Sequence, residues 1–525
     1  MTVKFNVIAI TASAAWLVTS LATRSIAAQM NPAVDPVITH IRALGLDSSH
    51  TRELAQALFD SLGPRLTGSP DIARAQNWLL QRYRSWGIDA RNEPYGTWRG
   101  WRRGYSHIDL IEPRVRSLDG VMVAFSPGTN GKALTAGTII LPRFHDSTAF
   151  VQWLPTARGK LVLASAPLLS CRPSDDWARN ATPASKLRMD SARAEIAREW
   201  GGRDVRGSGY SLALGGGELG VRLEAGGAAG LITSRPKDSR GAREIFETYN
   251  VRTPTISLGC EDYGLVFRLT EANQQPRLRL DLDAELLGER PVFNTIATIR
   301  GTEKPDEYVL LSAHFDSWDG GSGATDNGTG TVTMLEAMRI LSRAYPKPRR
   351  TIVVGHWSGE EVGLVGSRAF SEDHPEVIRG LHASFNQDNG TGRIQSMNGG
   401  GLAATAGLVP QWLSKMPEAF RNQITFSVGA PSAGGSDGAS FACYGAPAYG
   451  LGSASWDYGS YTWHTERDTY DKVVFDDLNG NATIMAMLAY LASEDPDLLA
   501  RDRVDLGRSW PVCAKAPRST HPRLK

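Results

Sequence analysis

The chain has 525 residues, 41% of them hydrophobic and 21% charged, with a formal net charge of +2. That composition excludes a disordered or fibrous chain and supplies enough apolar material for more than one packed domain. The near-neutral balance gives no bulk electrostatic reason to bind nucleic acid or an acidic partner.

Residues 1–28 have the build of a signal peptide: Lys4 in a basic start, an apolar stretch from Val7 to Ala22, and small residues from Ser25 to Ala28 at a cleavage site. Thr11, Ser13, Thr19 and Ser20 dilute that stretch and Arg24 closes it, which argues against a membrane anchor. The expectation is a secreted or periplasmic protein with no stable membrane insertion once the leader is removed. Cys171, Cys260, Cys443 and Cys513 suit such a compartment. Pairing within domains favours Cys171–Cys260 and Cys443–Cys513, with free buried thiols as the alternative. None lies in the CxxC arrangement of a thiolate zinc site.

After a weakly patterned segment, a helix is expected over Thr51–Leu62, stopped by Gly63-Pro64, and then a turn from Arg65 to Pro70. Ile72, Gln76, Leu79, Leu80, Tyr83 and Trp86 recur at helical spacing as far as Gly87. Trp98, Trp101 and Tyr105 among Arg99, Arg102 and Arg103 read as a surface patch of stacked rings and guanidinium groups, without the further basic stripes a nucleic-acid site needs. From about Gly131 short β-like runs appear, at Gly137–Leu141, Lys160–Ala164, Gly230–Thr233 and Thr255–Leu258, separated by a polar connector from Ser174 to Ser208. Arg277–Asp283 alternates strictly, as a half-exposed strand does. These runs predict an inserted strand-rich module over 131–288, with Asn294–Ile299 re-entering the main sheet.

The rest of the chain is arranged around Tyr308–Ala313, a nearly continuous apolar run that suits a strand buried on both faces of a parallel sheet. It ends in His314-Phe-Asp316 and a Gly-rich loop that delivers Asp326 to the start of a helical pattern. Three more strand-then-loop units follow. Arg350–Val354 leads to Glu360-Glu361, Leu381–Phe385 to Asp388, and Ala446–Leu451 to an aromatic loop ending in His464. A last helix is expected over 475–493, and a mobile tail beyond Asp495. The chain therefore divides into a leader (1–28), the first part of a catalytic domain (29–130), the insert (131–288), the remaining catalytic domain (289–495) and a tail (496–525). The fold class is α/β, a mixed and largely parallel sheet flanked by helices.

In open α/β sheets ligands bind outside the carboxyl ends of strands. Carboxylates gathered there repel unless a cation neutralises them. Oxygen and imidazole donors without thiolates suit a catalytic zinc or another exchangeable divalent ion. Two ions need one shared carboxylate and terminal donors on each side. Of two adjacent glutamates, one can hold metal while the other takes a proton from the attacking water. His356, His374 and His382 read as structural. The Gly320–Gly323 loop lacks the Lys-Ser/Thr pair of a phosphate cradle.

The segments SAHFDSW, GATDNGTG, WSGEEVGLVGS, NQDNG and HTERDTYDKV resemble the zinc peptidase family of carboxypeptidase Q, glutamate carboxypeptidase and the bacterial di-zinc leucyl aminopeptidases. The likeness extends to DSLGPRLTGSP and implies that residues 131–288 form a protease-associated domain. It implies two Zn2+ ions bridged by Asp326, with His314 and Asp388 on one and Glu361 and His464 on the other. Glu360 would be the general base, and Asp316 would orient His314. Gly438 departs from the larger side chain the family commonly has after Ser-Asp. The implied activity is removal of single residues from a peptide substrate, with glutaminyl cyclase and a non-catalytic receptor-like protein as alternatives. A homodimer is one option for the assembly. Trp456, Tyr458, Tyr461 and Trp463 are expected to wall a short apolar pocket beside His464. Arg393 is the only basic residue near the Asp388 loop that could hold a substrate carboxylate, and this scarcity favours an aminopeptidase of uncharged first residues over a carboxypeptidase.

Overall fold

The computed structural model describes residues 35–144, 146–200, 217–238, 241–507 and 509–519, so the expected leader at 1–28 and part of the 174–208 connector lie outside it. Among the described residues fourteen strands, taken in chain order, build the sheet. They are β1 (Asp89–Glu112), β2 (Arg116–Ser117), β3 (Gly120–Met122), β4 (Leu134–Ile140), β5 (Leu161–Leu163), β6 (Gly230–Thr233) and β7 (Thr255–Leu258). Then come β8 (Arg277–Ile299), β9 (Lys304–His314), β10 (Arg350–Trp357), β11 (Leu381–Asn386), β12 (Ile394–Asn398), β13 (Thr425–Ser427) and β14 (Ala448–Ser453). Their order is β13-β12-β14-β11-β9-β10-β8-β4-β5-β6-β7-β3, with β1 along β8.

β9 runs parallel to both its neighbours, β10 and β11, and β11 runs parallel to β14. The apolar run of β9 is thereby explained. Val309, Leu311 and Ala313 face a core closed by helices Thr329–Ala344 and Phe475–Glu494. Leu310 faces the opposite side, with Trp357, Phe370 and Phe441. With both faces covered, no position on the strand gains from a polar residue.

A second hydrophobic cluster surrounds the parallel set β4, β5, β6 and β7, including Leu161, Ile232, Ile256 and Phe267. Arg277–Asp283 and Asn294–Ile299, expected as two strands, are the ends of one 23-residue strand, β8. The polar stretch between them stays extended because β1 pairs with it antiparallel from Asp89↔Thr298 to Glu112↔Arg277. A two-stranded ribbon therefore runs through both clusters, where the sequence had suggested a boundary.

Trp98 and Trp101 are buried rather than spread on a surface; only Tyr105 of that trio is exposed. Trp101 Nε1 donates to the Ser126 carbonyl at 2.8 Å, which satisfies the indole inside the core. The tail is also held in place. Leu499 N donates to His382 Nδ1, and Arg501 donates to the carbonyls of Ile378, Arg379 and Leu381. Cys513 is bonded to Cys443 and Cys171 to Cys260, the pairing within domains.

Candidate active site

His314 is the last residue of β9, and Arg65 fixes the loop that follows. Its guanidinium is fully buried and donates to the carbonyls of Phe315 (2.7 Å), Ser322 (2.8 Å), Gly323 (2.8 Å) and Gly63 (3.1 Å). Burial lowers its pKa to about 10, against the pull of Asp468 and Asp316. Asp326 is positioned by Asp468, which accepts the backbone N–H groups of Thr325 (2.7 Å) and Asp326 (2.9 Å). His464 stands at φ 58°, a left-handed conformation uncommon outside glycine. Its carbonyl accepts from Ile245 N at 2.8 Å, while Trp463 stacks on its ring at 3.6 Å and Phe246 meets it edge-on at 5.0 Å. The segment around Ile245 lies within residues 131–288, so that stretch supports the site directly.

These elements converge on one cluster. His314 Nε2 lies 3.4 Å from Asp326 Oδ1 and 3.4 Å from Asp388 Oδ1. His464 Nε2 lies 3.2 Å from Asp326 Oδ2 and 3.0 Å from Glu361 Oε2. Two donor sets result, His314–Asp326–Asp388 and Asp326–Glu361–His464, sharing Asp326. The fit to metal is testable on these distances. Tetrahedral bonds of about 2.0–2.1 Å to nitrogen and oxygen place donor atoms about 3.3 Å apart. Asp326 Oδ2 and Glu361 Oε1 are buried without a hydrogen-bond partner, as atoms reserved for a cation are.

The charge balance points the same way. Burial and the neighbouring Asp388 and Glu361 push the Glu360 carboxyl well above its usual range, against the pull of His314. Burial, with Asp326, does the same to Glu361. Burial alone would push the His314 imidazole down, but Asp388, Glu360, Asp316 and Asp326 together raise it well above its usual value. Asp437 and Asp468 are each pushed by burial to about 7. Seven carboxylates, Asp316, Asp326, Glu360, Glu361, Asp388, Asp437 and Asp468, gather here, and their mutual repulsion favours added positive charge.

Asp316 lies beneath the glutamates. Its carboxylate accepts from Thr67 Oγ1 (2.8 Å), Glu360 N (3.2 Å) and Glu361 N (3.3 Å). His314 Nδ1 is 2.9 Å from the Asp316 carbonyl and 3.7 Å from its carboxylate, so the residue holds both the imidazole and the Glu360-Glu361 turn. Arg65, Asp437 and Asp468 escape sequence reading as site residues, since none ends a strand or follows a periodic signal. Against burial, His314 and His464, with a smaller part from Tyr458, lower the Asp326 carboxyl, while burial and Asp326 push the Tyr458 phenol well up.

The aromatic loop divides between solvent and the site. Trp456 is largely exposed and donates to Asp477, and Trp463 packs on His464. Arg393 is half-exposed and lies 3.9 Å from Asp477. His356 pairs with Tyr83 at 2.6 Å, His374 with Glu93 at 2.6 Å, and His382 with Asp495 at 2.8 Å, all outside the two donor sets.

Residues 294–489 match the sequence profile of Peptidase family M28. Carboxypeptidase Q of Bos taurus is 24% identical over 469 residues, covering 88% of this chain and 89% of that protein. Carboxypeptidase Q of Xenopus laevis is 27% identical over 344 residues, 64% of each chain. Among solved structures, a Peptidase M28 precursor from Shewanella amazonensis superposes with a TM-score of 0.64 at 24% identity, over 90% of this chain and 98% of the other. A zinc aminopeptidase from Bacillus subtilis superposes with a TM-score of 0.54 at 17% identity, over 90% and 99%. No helix among the described residues is long and apolar enough to cross a membrane. The strand-end donors all lie within residues 294–489, the stretch that matches Peptidase family M28, and the chain is a metallo-exopeptidase similar over most of its length to carboxypeptidase Q.

Proposed function

We propose that the protein is a secreted aminopeptidase that holds two zinc ions, one by His314 and Asp388, the other by Glu361 and His464, with Asp326 between them. The observation that carries this reading is the pair of donor sets sharing Asp326. When bound, the ions polarise the scissile carbonyl and lower the pKa of the attacking water. Glu360 is the one glutamate of its pair outside both donor sets. It receives the proton of that water and passes it to the leaving amine. Asp316 fixes the Glu360-Glu361 turn by accepting both backbone N–H groups. Residues 131–288 serve as a protease-associated insert, a reading supported by the separate hydrophobic cluster that they form together with Ile108, Leu110, Leu118 and Met122.

The aminopeptidase polarity rests on charge. The seven carboxylates, when ionised, outnumber the charge of Arg65 and two divalent cations, which favours a substrate ammonium. The nearby basic groups are engaged: Arg65 by carbonyls, Arg393 by Asp477, Lys237 and Arg235 by Glu244. A carboxypeptidase of dipeptides is the second reading, favoured by the near full-length likeness to carboxypeptidase Q. Zinc-loaded protein is to be incubated with free, N-acetylated and C-amidated short peptides and the products weighed by mass spectrometry. Free and C-amidated peptides should shorten from the amino end. N-acetylated peptides cut as fast as free ones would remove the aminopeptidase assignment.

A further inference from the structure

Beside Asp388 lies a cavity of about 290 Å³, whose polar side chains include Asn386, Asn398 and Ser436 and whose apolar wall includes Ala430, Ala448 and Leu451. Its origin is visible in the sheet register. Gly450 on β14 pairs with Asn386 on β11 and with Asn398 on β12, so it stands between two amides on adjacent strands. Cross-strand neighbours place their Cβ atoms about 4.5–5.5 Å apart and would normally fill that space with side chains. Here the middle position has none. A Cβ added to Gly450 would meet only the Asn398 Cβ, at 3.6 Å, and one added to Gly438 only the Asn386 Cβ, also at 3.6 Å. Neither glycine has a positive φ, so the backbone does not demand glycine at either place. Both leave open space.

The walls offer hydrogen-bond donors. Asn386 Oδ1 accepts from Ser312 Oγ (2.6 Å) and its Nδ2 donates to Ser436 Oγ (2.8 Å), which fixes the amide and leaves the Ser436 hydroxyl hydrogen to donate elsewhere. Asn398 Oδ1 accepts from Gly400 N (2.7 Å), which fixes the second amide with its NH2 group unspent on any described protein acceptor. An aliphatic side chain entering this slot would strip water from these donors without replacing it. A carboxylate would sit against Asp388, and a cation would face donors.

We propose that this cavity receives the side chain of the terminal residue and selects a neutral acceptor-bearing one, an amide above all. The inference rests on the aminopeptidase reading and adds the substrate class to it. The Asn398 NH2 group and the Ser436 hydroxyl, the latter oriented by Asn386, would direct donors at the side-chain carbonyl oxygen, with the vacant positions of Gly438 and Gly450 giving the side chain its length. Pockets that hydrogen-bond their substrate discriminate strongly against analogues lacking the group.

The test is a kcat/KM panel on zinc-loaded full-length protein, with dipeptides X-Ala where X is Gln, Asn, Met, Leu, Glu, Lys or Ala. Gln should exceed the similarly long Met, and Glu, by about tenfold or more. Gly450→Val should cut the Gln-to-Ala ratio by about tenfold, and Asn398→Leu should turn the preference toward Leu and Met. Zinc content and thermal unfolding of each variant show that it is folded. Leu or Met preferred by the wild-type chain, or a Gln-to-Ala ratio unmoved by both substitutions, would overturn the pocket while leaving the aminopeptidase standing. Cleavage of N-acetylated peptides, or none of the free dipeptides cut, would overturn both.

Discussion

Glu360 and Glu361 are neighbours with raised pKa values, yet only Glu361 falls within a donor set. Glu361→Gln should lower both zinc content and activity. Glu360→Gln keeps shape and loses the proposed base, so it should retain zinc and lower kcat by about 10²–10⁴-fold, roughly 3–5 kcal/mol of barrier. Metal analysis and steady-state kinetics on the two variants side by side check this; a Glu360→Gln enzyme with normal kcat would end the assignment. Arg65 acts differently, since its substitution strands buried carbonyls of the loop leading from His314 toward Asp326. Arg65→Met should cost about 3 kcal/mol or more in urea unfolding, because each unsatisfied buried group costs about 1–3 kcal/mol. A midpoint within error of wild type would remove the clamp role. The contrast shows what sequence can reveal at this scale. His314 and Asp388 are legible because each follows an apolar strand, whereas Arg65 sits in an ordinary turn and acquires its role only when a loop some 250 residues later folds over it.

The longest elements carried the largest difference from sequence expectation. β9 was legible because burial on both faces leaves an unbroken apolar run. β1 and β8 were not, because their middle residues are polar and only mutual pairing keeps them extended. The tail looked mobile for a similar reason, its anchors being Arg501, Arg518 and Cys513 rather than apolar periodicity. Cys513→Ser should therefore lower stability by about 2–4 kcal/mol. Unfolding of the variant against wild type under oxidising conditions measures it, and an unchanged midpoint would mean the tail holds without the bond. Near the same anchor, His374 lies between Glu93 and Glu376, and these hydrogen bonds raise its pKa while Glu93 is lowered. A raised folded-state value means that the contribution is full below the unfolded pKa of about 6.5 and fades as pH rises through the folded one. His374→Gln should thus lower Tm more at pH 6 than at pH 9, and a deficit that grows with pH would contradict the linkage.

Across the whole molecule, the catalytic cluster is a place where folding works against itself. β9, β10, β11 and the loop before His464 bring buried carboxylates together, and Asp437 and Asp468 are each pushed to about 7 by burial while Glu360 and Glu361 stand well above their usual range. In metal-free protein these groups hold protons in the folded state that the unfolded chain releases near pH 4–4.5. Folded binding then exceeds unfolded binding from that pH upward, so stability must fall as pH rises through the folded values. Divalent cations reverse the balance, since they bind the ionised cluster and only the folded chain presents it assembled. The expected result is that chelation lowers Tm at pH 8 by more than at pH 5, and that restoring zinc recovers it. Calorimetry of chelated and zinc-replete protein at both pH values decides the matter. A chelated protein as stable at pH 8 as at pH 5 would mean that the cluster tolerates its charge without metal.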